Sequence, residues 1–350
     1  MAIELSSLTF TDEDDVVPVS GEEEIVNTGI TNTLAGNDEI TGTGGTYSIY
    51  NSGTLNTADG SDAIIGVSSQ EENTLYSYGI VNLYGSTLNT GNGTDIIIGI
   101  GYGPNDFSID GIFNQGTINT GDDDDIITGT HSYSGINNNN FGIIDTGNGS
   151  DTITGTGSTF GIQNYSTFNT GDGNDKVIGN TNFLGFSIVN NSGTMDTGAG
   201  DDEITGTSTG TNANWVGIYN LSGTIDTGDG NDKITGTGGT NGIDNTGIIK
   251  TGNGKDSIIA DGGFNGTGSV FLGNGKDYLK GFGSGNFNGG NGQDALELTS
   301  GSYTVGISGT AVNFTKGSTI MNTSEFEELI AGGTTYNFSS LTNGQTIFVA

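Results

Sequence analysis

Residues 90–99 read TGNGTDIIIG, and this stretch decides the fold because the chain writes it repeatedly. Close versions are TGNGSDTITG (146–155), TGDGNDKVIG (170–179), TGDGNDKITG (227–236) and TGNGKDSIIA (251–260). The last Asp of each unit falls at 38, 62, 95, 125, 151, 175, 202, 232, 256, 277 and 294, at spacings of 17 to 33 residues. A second marker, G-I-x-N or a variant such as GIQN (161–164), runs in phase, with its Asn at 27, 51, 82, 114, 138, 164, 190, 220 and 245. Asn to the following Asp is always 11 to 13 residues, whereas Asp to the next Asn is 13 to 20. Each unit therefore has a rigid half and a half that accepts insertions, as the loops on one edge of a solenoid do.

Three apolar columns emerge on alignment. Two residues after each Asp stands an Ile, Val or Leu, from Ile40 to Leu296. Seven before it stand residues such as Leu55, Leu88, Ile118, Phe168 and Met195. Two before each Asn stands Ile, from Ile25 to Ile243. Three short β segments per unit, separated by Gly, Asn and Asp turns, predict a parallel β-helix of about nine three-sided coils, roughly 43 Å long at the strand spacing. A helical reading fails because Gly and Asn interrupt every stretch. The expected organisation is a cap over 1–26, a solenoid over 27–260, shorter turns over 261–298, and a C-terminal β cap over 299–350. An open end would expose an unpaired strand edge, hence the caps.

Composition excludes much. The 350 residues include 66 Gly, 28 Asp, 13 Glu, seven Lys and no Arg, for a net charge of -34. No basic residue precedes Lys176. Phosphate-rich nucleic acid and anionic membrane surfaces have nothing to hold here. Cys is absent and His131 is the one His, so thiolate sites and His-based triads lack material. His131 and Trp215 lie in variable stretches and read as surface residues. No apolar run reaches membrane-spanning length. The N-terminal stretch MAIELSSLTFTDEDD has neither the basic nor the apolar region of a conventional signal peptide.

A cation is the partner such a chain calls for. Stacked units bring equivalent Asp carboxylates about 4.8 Å apart, where two unscreened charges repel by roughly 3–4 kcal/mol at an effective dielectric near 20. The column must protonate, splay or take up cations. Carboxylate and carbonyl oxygens at a Gly-rich turn suit Ca²⁺. The expected ligands are Asp62, Asp95, Asp125, Asp151, Asp175, Asp202, Asp232, Asp256, Asp277 and Asp294, with Asn274 and Asn291. The Asx three residues before each Asp (Asp59, Asn92, Asp122, Asn148, Asp172, Asp229, Asn253) reads as ligand or turn former, and Ala199 breaks that column. The alternative is Asx-turn chemistry with no metal. The Asn column reads as stacked amides hydrogen-bonded along the axis. Asp122–Asp125 reads as an exposed charged turn or, alternatively, an extra cation site.

GGNGQDALE (289–297) matches the nonapeptide G-G-x-G-x-D-x-U-x, while LGNGKDYLK and TGNGSDTIT depart at the first Gly. Over residues 33–298 the chain resembles the RTX, or hemolysin-type calcium-binding, repeat family of secreted bacterial proteins. The resemblance implies calcium as cofactor, a β-roll over 261–298 and export by a type I route through a C-terminal signal. It also implies an extracellular or cell-surface site in a bacterium, where Ca²⁺ drives folding.

With nearly all residues in repeats, the expected role is a structural protein of a surface layer, matrix or filament that self-associates, and no enzyme. Three alternatives stand beside it. A carbohydrate-binding adhesin would use Tyr76, Tyr78, Tyr84, Tyr102 and Tyr133, with extracellular polysaccharide as partner. A β-helix polysaccharide-active enzyme would need a base that this composition barely supplies. An ice-binding protein would use the Thr-x-Thr pairs Thr41/Thr43, Thr128/Thr130, Thr154/Thr156, Thr205/Thr207 and Thr235/Thr237.

Overall fold

The computed structural model describes residues 2–18, 23–68, 77–103, 109–183, 185–210, 215–239 and 241–350. Among them the chain is all-β: consecutive short strands pass in turn to three long sheets that together form a β-solenoid. The first sheet runs through strands such as Tyr78–Asn82, Asp110–Asn114, Ser134–Asn138 and Phe160–Asn164. The second uses Thr87–Asn89, Thr117–Asn119 and Ile143–Asp145. The third uses Ala63–Val67, Ile96–Ile100, Ile126–Thr130 and Thr152–Gly157. Within each sheet the neighbour of a strand is the corresponding strand of the adjacent unit, parallel and in register.

That register converts sequence spacing into columns. Ile64, Ile97, Ile127 and Ile153 are Cα partners in succession, as are Leu55, Leu88 and Ile118, and Ile80, Ile112 and Ile136. All are fully buried and form one continuous core. β-branched side chains suit this because they pack on a pleated surface with little rotamer freedom to lose.

The rigid and variable halves have a structural cause. From the end of a second-sheet strand to the start of the next third-sheet strand is a constant step, as in 56 to 63, 89 to 96, 145 to 152 and 226 to 233. The insertions fall between third-sheet and first-sheet strands, as in 100 to 110 against 130 to 134. Most of the variation thus falls at one edge of the rod, with two-residue extensions at the first-to-second-sheet corner, as in 82 to 87 against 51 to 54.

After Leu298 the pattern changes. Gly301–Ser308, Ala311–Lys316, Thr319–Ser324 and Thr346–Val349 extend the second sheet with antiparallel pairing over Tyr303, Phe314 and Met321. Glu328–Ala331 and Thr334–Asn337 close the third sheet as a hairpin. No helix among the described residues is long and apolar enough to cross a membrane.

Candidate functional site

Two corners of the solenoid are lined by polar side chains that point inward. At the first, the Asn column forms an amide ladder. Asn82 Nδ2 donates to Asn114 Oδ1 (2.8 Å), Asn114 to Asn138 (2.8 Å) and Asn138 to Asn164 (2.9 Å). From Asn51 on, each amide also donates to a second-sheet carbonyl, as Asn138 does to Thr167 (2.7 Å). The ladder runs from Asn27 to Asn245. These buried amides are satisfied because each carries donors and an acceptor.

The second corner, between the second and third sheets, holds the Asp column. Here the backbone N–H of each Asp donates to Oδ1 of the Asp one turn further on: Asp62 to Asp95 (2.7 Å), Asp125 to Asp151 (2.8 Å), Asp175 to Asp202 (2.9 Å) and Asp256 to Asp277 (2.8 Å). The ladder starts at Asp15, whose N–H donates to Asp38, and ends where the Asp294 N–H donates to Glu327 Oε2 (2.8 Å). Neither Asp15 nor Glu327 stands in a TGxGxD unit, so the motif gave no sign of them. All ten expected Asp ligands lie in this column, each at most 2 % exposed.

The second carboxylate oxygen behaves differently. Oδ2 of Asp62, Asp95, Asp125, Asp151, Asp175, Asp232, Asp256, Asp277 and Asp294 is buried without a hydrogen-bond partner. Asp202 is the exception among the ten, taking the Thr197 hydroxyl at 2.7 Å. Asp38 is held the same way by Thr33. From Asp38 to Asp256 a buried Thr precedes each Asp by five residues; Leu272 and Gly289 take its place before Asp277 and Asp294. This third polar column (Thr33, Thr57, Thr90, Thr120, Thr146, Thr170, Thr197, Thr227, Thr251) went unassigned in the sequence, although the constant T of TGxGxD signals it. In several turns the hydroxyl donates along the axis instead, as Thr57 does to the Thr90 carbonyl (3.2 Å) and Thr251 to that of Leu272 (2.9 Å).

Burial pushes the Asp carboxyls up: to about 6 for Asp62, Asp95, Asp151, Asp232 and Asp294, and to about 7 for Asp125, Asp175, Asp202 and Asp256. Asp277 rises for the same reason. Thr hydroxyls and the ladder N–H groups oppose the rise in most of these turns, and neighbouring carboxylates add to it. No Lys among the described residues offsets it. The ion pairs among the described residues, Lys233–Glu203, Lys250–Asp226 and Lys280–Glu297, involve none of these Asp residues.

Glycine is required at this corner by stacking as well as by φ. At Gly121 φ is +95°, and a Cβ would stand 1.6 Å from the Gly91 carbonyl oxygen of the adjacent turn. Asp123 occupies the second Gly position of its turn at φ +86°. With Asp122 and Asp124 it is exposed, so the 122–125 run is a charged turn whose last member alone points inward.

Asn274 and Asn291 are placed elsewhere. They are exposed and join a separate outer ladder, where Asn291 donates to Asn274 (2.7 Å) and Asn274 to Asn253 (2.5 Å). Asn92 to Asp59 (3.2 Å) and Asn148 to Asp122 (2.7 Å) extend the same pattern to earlier turns. Among the described residues no three His, Cys, Asp or Glu side chains converge on one point.

Two expectations are corrected. His131 is buried, with Nδ1 accepting the Tyr133 N–H (2.7 Å), and burial lowers it to about 4. Trp215 is also buried, against Gly210. Trp215 follows a long connection, 208 to 216, whereas His131 lies in a short one, 130 to 134, and packs against Gly101 of the adjacent turn. Of the five tyrosines, Tyr78 stacks on Tyr47 and meets Phe113, Tyr133 meets Phe160, and Tyr84 pairs with Phe141 apart from these. Tyr102 is exposed and its backbone pairs with Ser77; Tyr76 lies outside the described residues. The Thr-x-Thr pairs share columns with Ile65, Ile98, Ile178 and Ile259, which interrupt the array.

No protein-family model matches the chain, and no curated protein matches it.

Proposed function

We propose that this chain is an extracellular calcium-binding structural protein, a subunit of a surface layer, matrix or filament. The observation that carries the reading is the buried Asp column, with nine carboxylate oxygens that complete no hydrogen bond. A buried carboxylate so placed requires a proton or a cation. The donor set is all oxygen, which favours a hard ion such as Ca²⁺ over a thiolate- or imidazole-seeking metal. Asp62, Asp95, Asp125, Asp151, Asp175, Asp202, Asp232, Asp256, Asp277 and Asp294 would supply it with one or two carboxylates at a time, and turn carbonyls would complete the shell. Asn274 and Asn291 sit on the outer ladder and would act by fixing the turn rather than by direct ligation.

In this reading residues 27–260 make about nine three-sided coils, 261–298 make tighter RTX-like turns, and the two ends act as caps. Low calcium leaves the carboxylates repelling one another and the folded state destabilised at neutral pH. High calcium outside the cell stabilises the folded state by mass action. The RTX resemblance supports type I export and a bacterial surface location. Folded rods would then associate with copies of themselves, through contacts that need not close into a ring.

The test is negative-stain electron microscopy beside circular dichroism, with calcium and with chelator. A higher melting temperature of the β signal with calcium, and filaments or sheets with calcium alone, are expected. A chain that folds equally in chelator at neutral pH contradicts the calcium role, and strictly single rods at high calcium contradict assembly. A second reading, a carbohydrate-binding adhesin, is favoured by the aromatic side chains along the outside of the first sheet.

A further inference from the structure

The outer face of the third sheet is unlike the rest of this acidic surface. In its middle column every position from Thr41 through Ile65, Ile98, Thr128 and Thr154 to Ile259 is Thr or Ile, nine turns in register. The column beside it, from Val67 through Ile100 and Thr130 to Thr237, is uncharged as well. Between Glu39 and Lys176 no outward position of this sheet carries a charge, in a chain of net charge -34. The charges that do stand on the face lie at its margins, at Glu39, Lys176, Glu203, Lys233 and Asp261. Two of them, Lys233 and Glu203, pair at 2.7 Å. Within the uncharged stretch Ile65, Val67, Ile96, Ile98, Ile100 and Ile126 form one apolar patch over three turns. Its side chains are partly exposed, Ile126 to 40 %. The outward positions of the second sheet, by contrast, hold Asp145, Asp196, Asp226 and Lys250. An apolar patch kept clear of charge on so acidic a molecule marks a contact site.

We propose that two copies of the chain pair through this face, rod against rod, with the apolar patch of one on that of the other about a two-fold axis. Charge is the first reason for that occupant. Two chains this acidic repel wherever their carboxylates meet, and along this face they touch without bringing any together. An ionic partner finds nothing to hold between Glu39 and Lys176, and no outward aromatic ring stands there to take a sugar. Period is the second reason. The rows recur at the strand spacing of about 4.8 Å, and a second copy brings the same period over the same length, so ridges of one sheet seat between those of the other. Area is the third. Eight steps of about 4.8 Å, by about 14 Å for two columns with their side chains, give about 530 Å² per copy. The pair would bury about 1,100 Å², just above the roughly 1,000 Å² a specific interface needs. Such a contact is isologous and closes at two rods, leaving the rod ends free for further assembly. The inference rests on the self-association reading, to which it gives a lateral contact, and is independent of what neutralises the Asp column.

The test is sedimentation velocity of the full chain at about 0.1 to 0.5 mM, where an interface of this size is populated. It is run with calcium at pH 8 and in chelator at pH 5, each with the β signal recorded, so a failure of the calcium reading is scored separately. Dimers are expected in both. Pairing should strengthen about tenfold between 0.05 and 0.5 M NaCl, because salt screens the like net charges and the contact has no ion pair to lose. The Ile65→Glu/Ile98→Glu double variant should weaken pairing about a hundredfold or more with an unchanged β signal, since both copies would bury carboxylates. Ile98→Lys should weaken it too, although it lowers the net negative charge, and it serves alone where the double variant does not fold. Thr87→Glu, on the outer face of the second sheet, should leave pairing unchanged. Dimers without filaments support the pairing and count against end-to-end assembly alone. Single rods at about 0.5 mM in both conditions, pairing that weakens with salt, unchanged pairing in a folded variant of the face, or equal weakening by Thr87→Glu overturns the proposal.

Discussion

The two inward corners are built on the same plan, one polar side chain per turn stacked in register, yet they end in opposite electrostatic states. The Asn corner is closed. Between its ends each amide gives at least two hydrogen bonds and takes at least one, so the ladder passes from Asn27 to Asn245 without a break. The Asp corner is half closed. A carboxylate only accepts, so its ladder must borrow a backbone N–H at every step, and that N–H reaches one of the two oxygens. The remaining oxygen stays buried and unmatched. A self-satisfying column holds a fold together under any condition, whereas an acceptor-only column makes the fold conditional on whatever supplies the missing charge.

The largest expected effect follows from that difference. The Asp carboxyls sit at about 6 to 7 in the folded chain, above the ordinary value of about 3.9 when unfolded. The folded state therefore binds more protons than the unfolded state across this window. Its stability in the absence of metal is full below about pH 4 and falls as the pH rises through about 7. Thermal melts in chelator should drop by roughly 10 °C or more between pH 5 and pH 8. Added calcium at pH 8 should restore the loss. Melts that are flat with pH, or indifferent to calcium, would show that the two corners do not differ in this way.

The next effect breaks the closed corner by giving it the chemistry of the other. Asn138 accepts from Asn114 (2.8 Å) and donates to Asn164 (2.9 Å) and the Thr167 carbonyl (2.7 Å). Asn138→Asp removes both donated bonds and sets an anion against two acceptor oxygens. No Asp backbone N–H is positioned to compensate. The expected cost is about 3–5 kcal/mol in urea unfolding at pH 8, easing at pH 5 as the carboxyl protonates. A loss under about 1 kcal/mol would mean that the amide ladder is incidental to stability.

How much of this was legible from sequence depended on whether a column repeats without exception. Ile97 and its partners, the Asn ladder and the inward Asp all recur at fixed offsets, and the structure places them as the periodicity predicts. The Thr column recurs as faithfully but was overlooked, because Thr in a turn motif reads as turn chemistry rather than as a buried hydroxyl. Asp15 and Glu327 end the Asp ladder through tertiary placement alone, and no spacing rule reaches them. His131 and Trp215 fall in the third-to-first-sheet connections, outside the repeated columns. There, burial depends on the path of each individual connection, which periodicity does not encode.

The smallest effect is the most discriminating, because its sign depends on conditions. Asp175 accepts the Asp151 N–H at 2.8 Å through Oδ1, while its Oδ2 and the Thr170 hydroxyl beside it both lack a completed hydrogen bond. Asp175→Asn keeps the acceptor and turns the orphaned oxygen into a donor aimed at that hydroxyl. The Asp corner then becomes locally like the Asn corner. In chelator at pH 8 the variant should gain about 1 kcal/mol over the parent, since a buried unmatched anion is replaced by a paired amide. At pH 5, where the parent carboxyl is largely protonated, the two should be nearly equal. With calcium at pH 8 the order should reverse, because the variant has lost a charge the cation would use. Urea unfolding under the three conditions reads all three signs. A variant less stable than its parent in every condition would show that this carboxylate is matched by something other than a proton or a cation, and the contrast between the corners would fail at its centre.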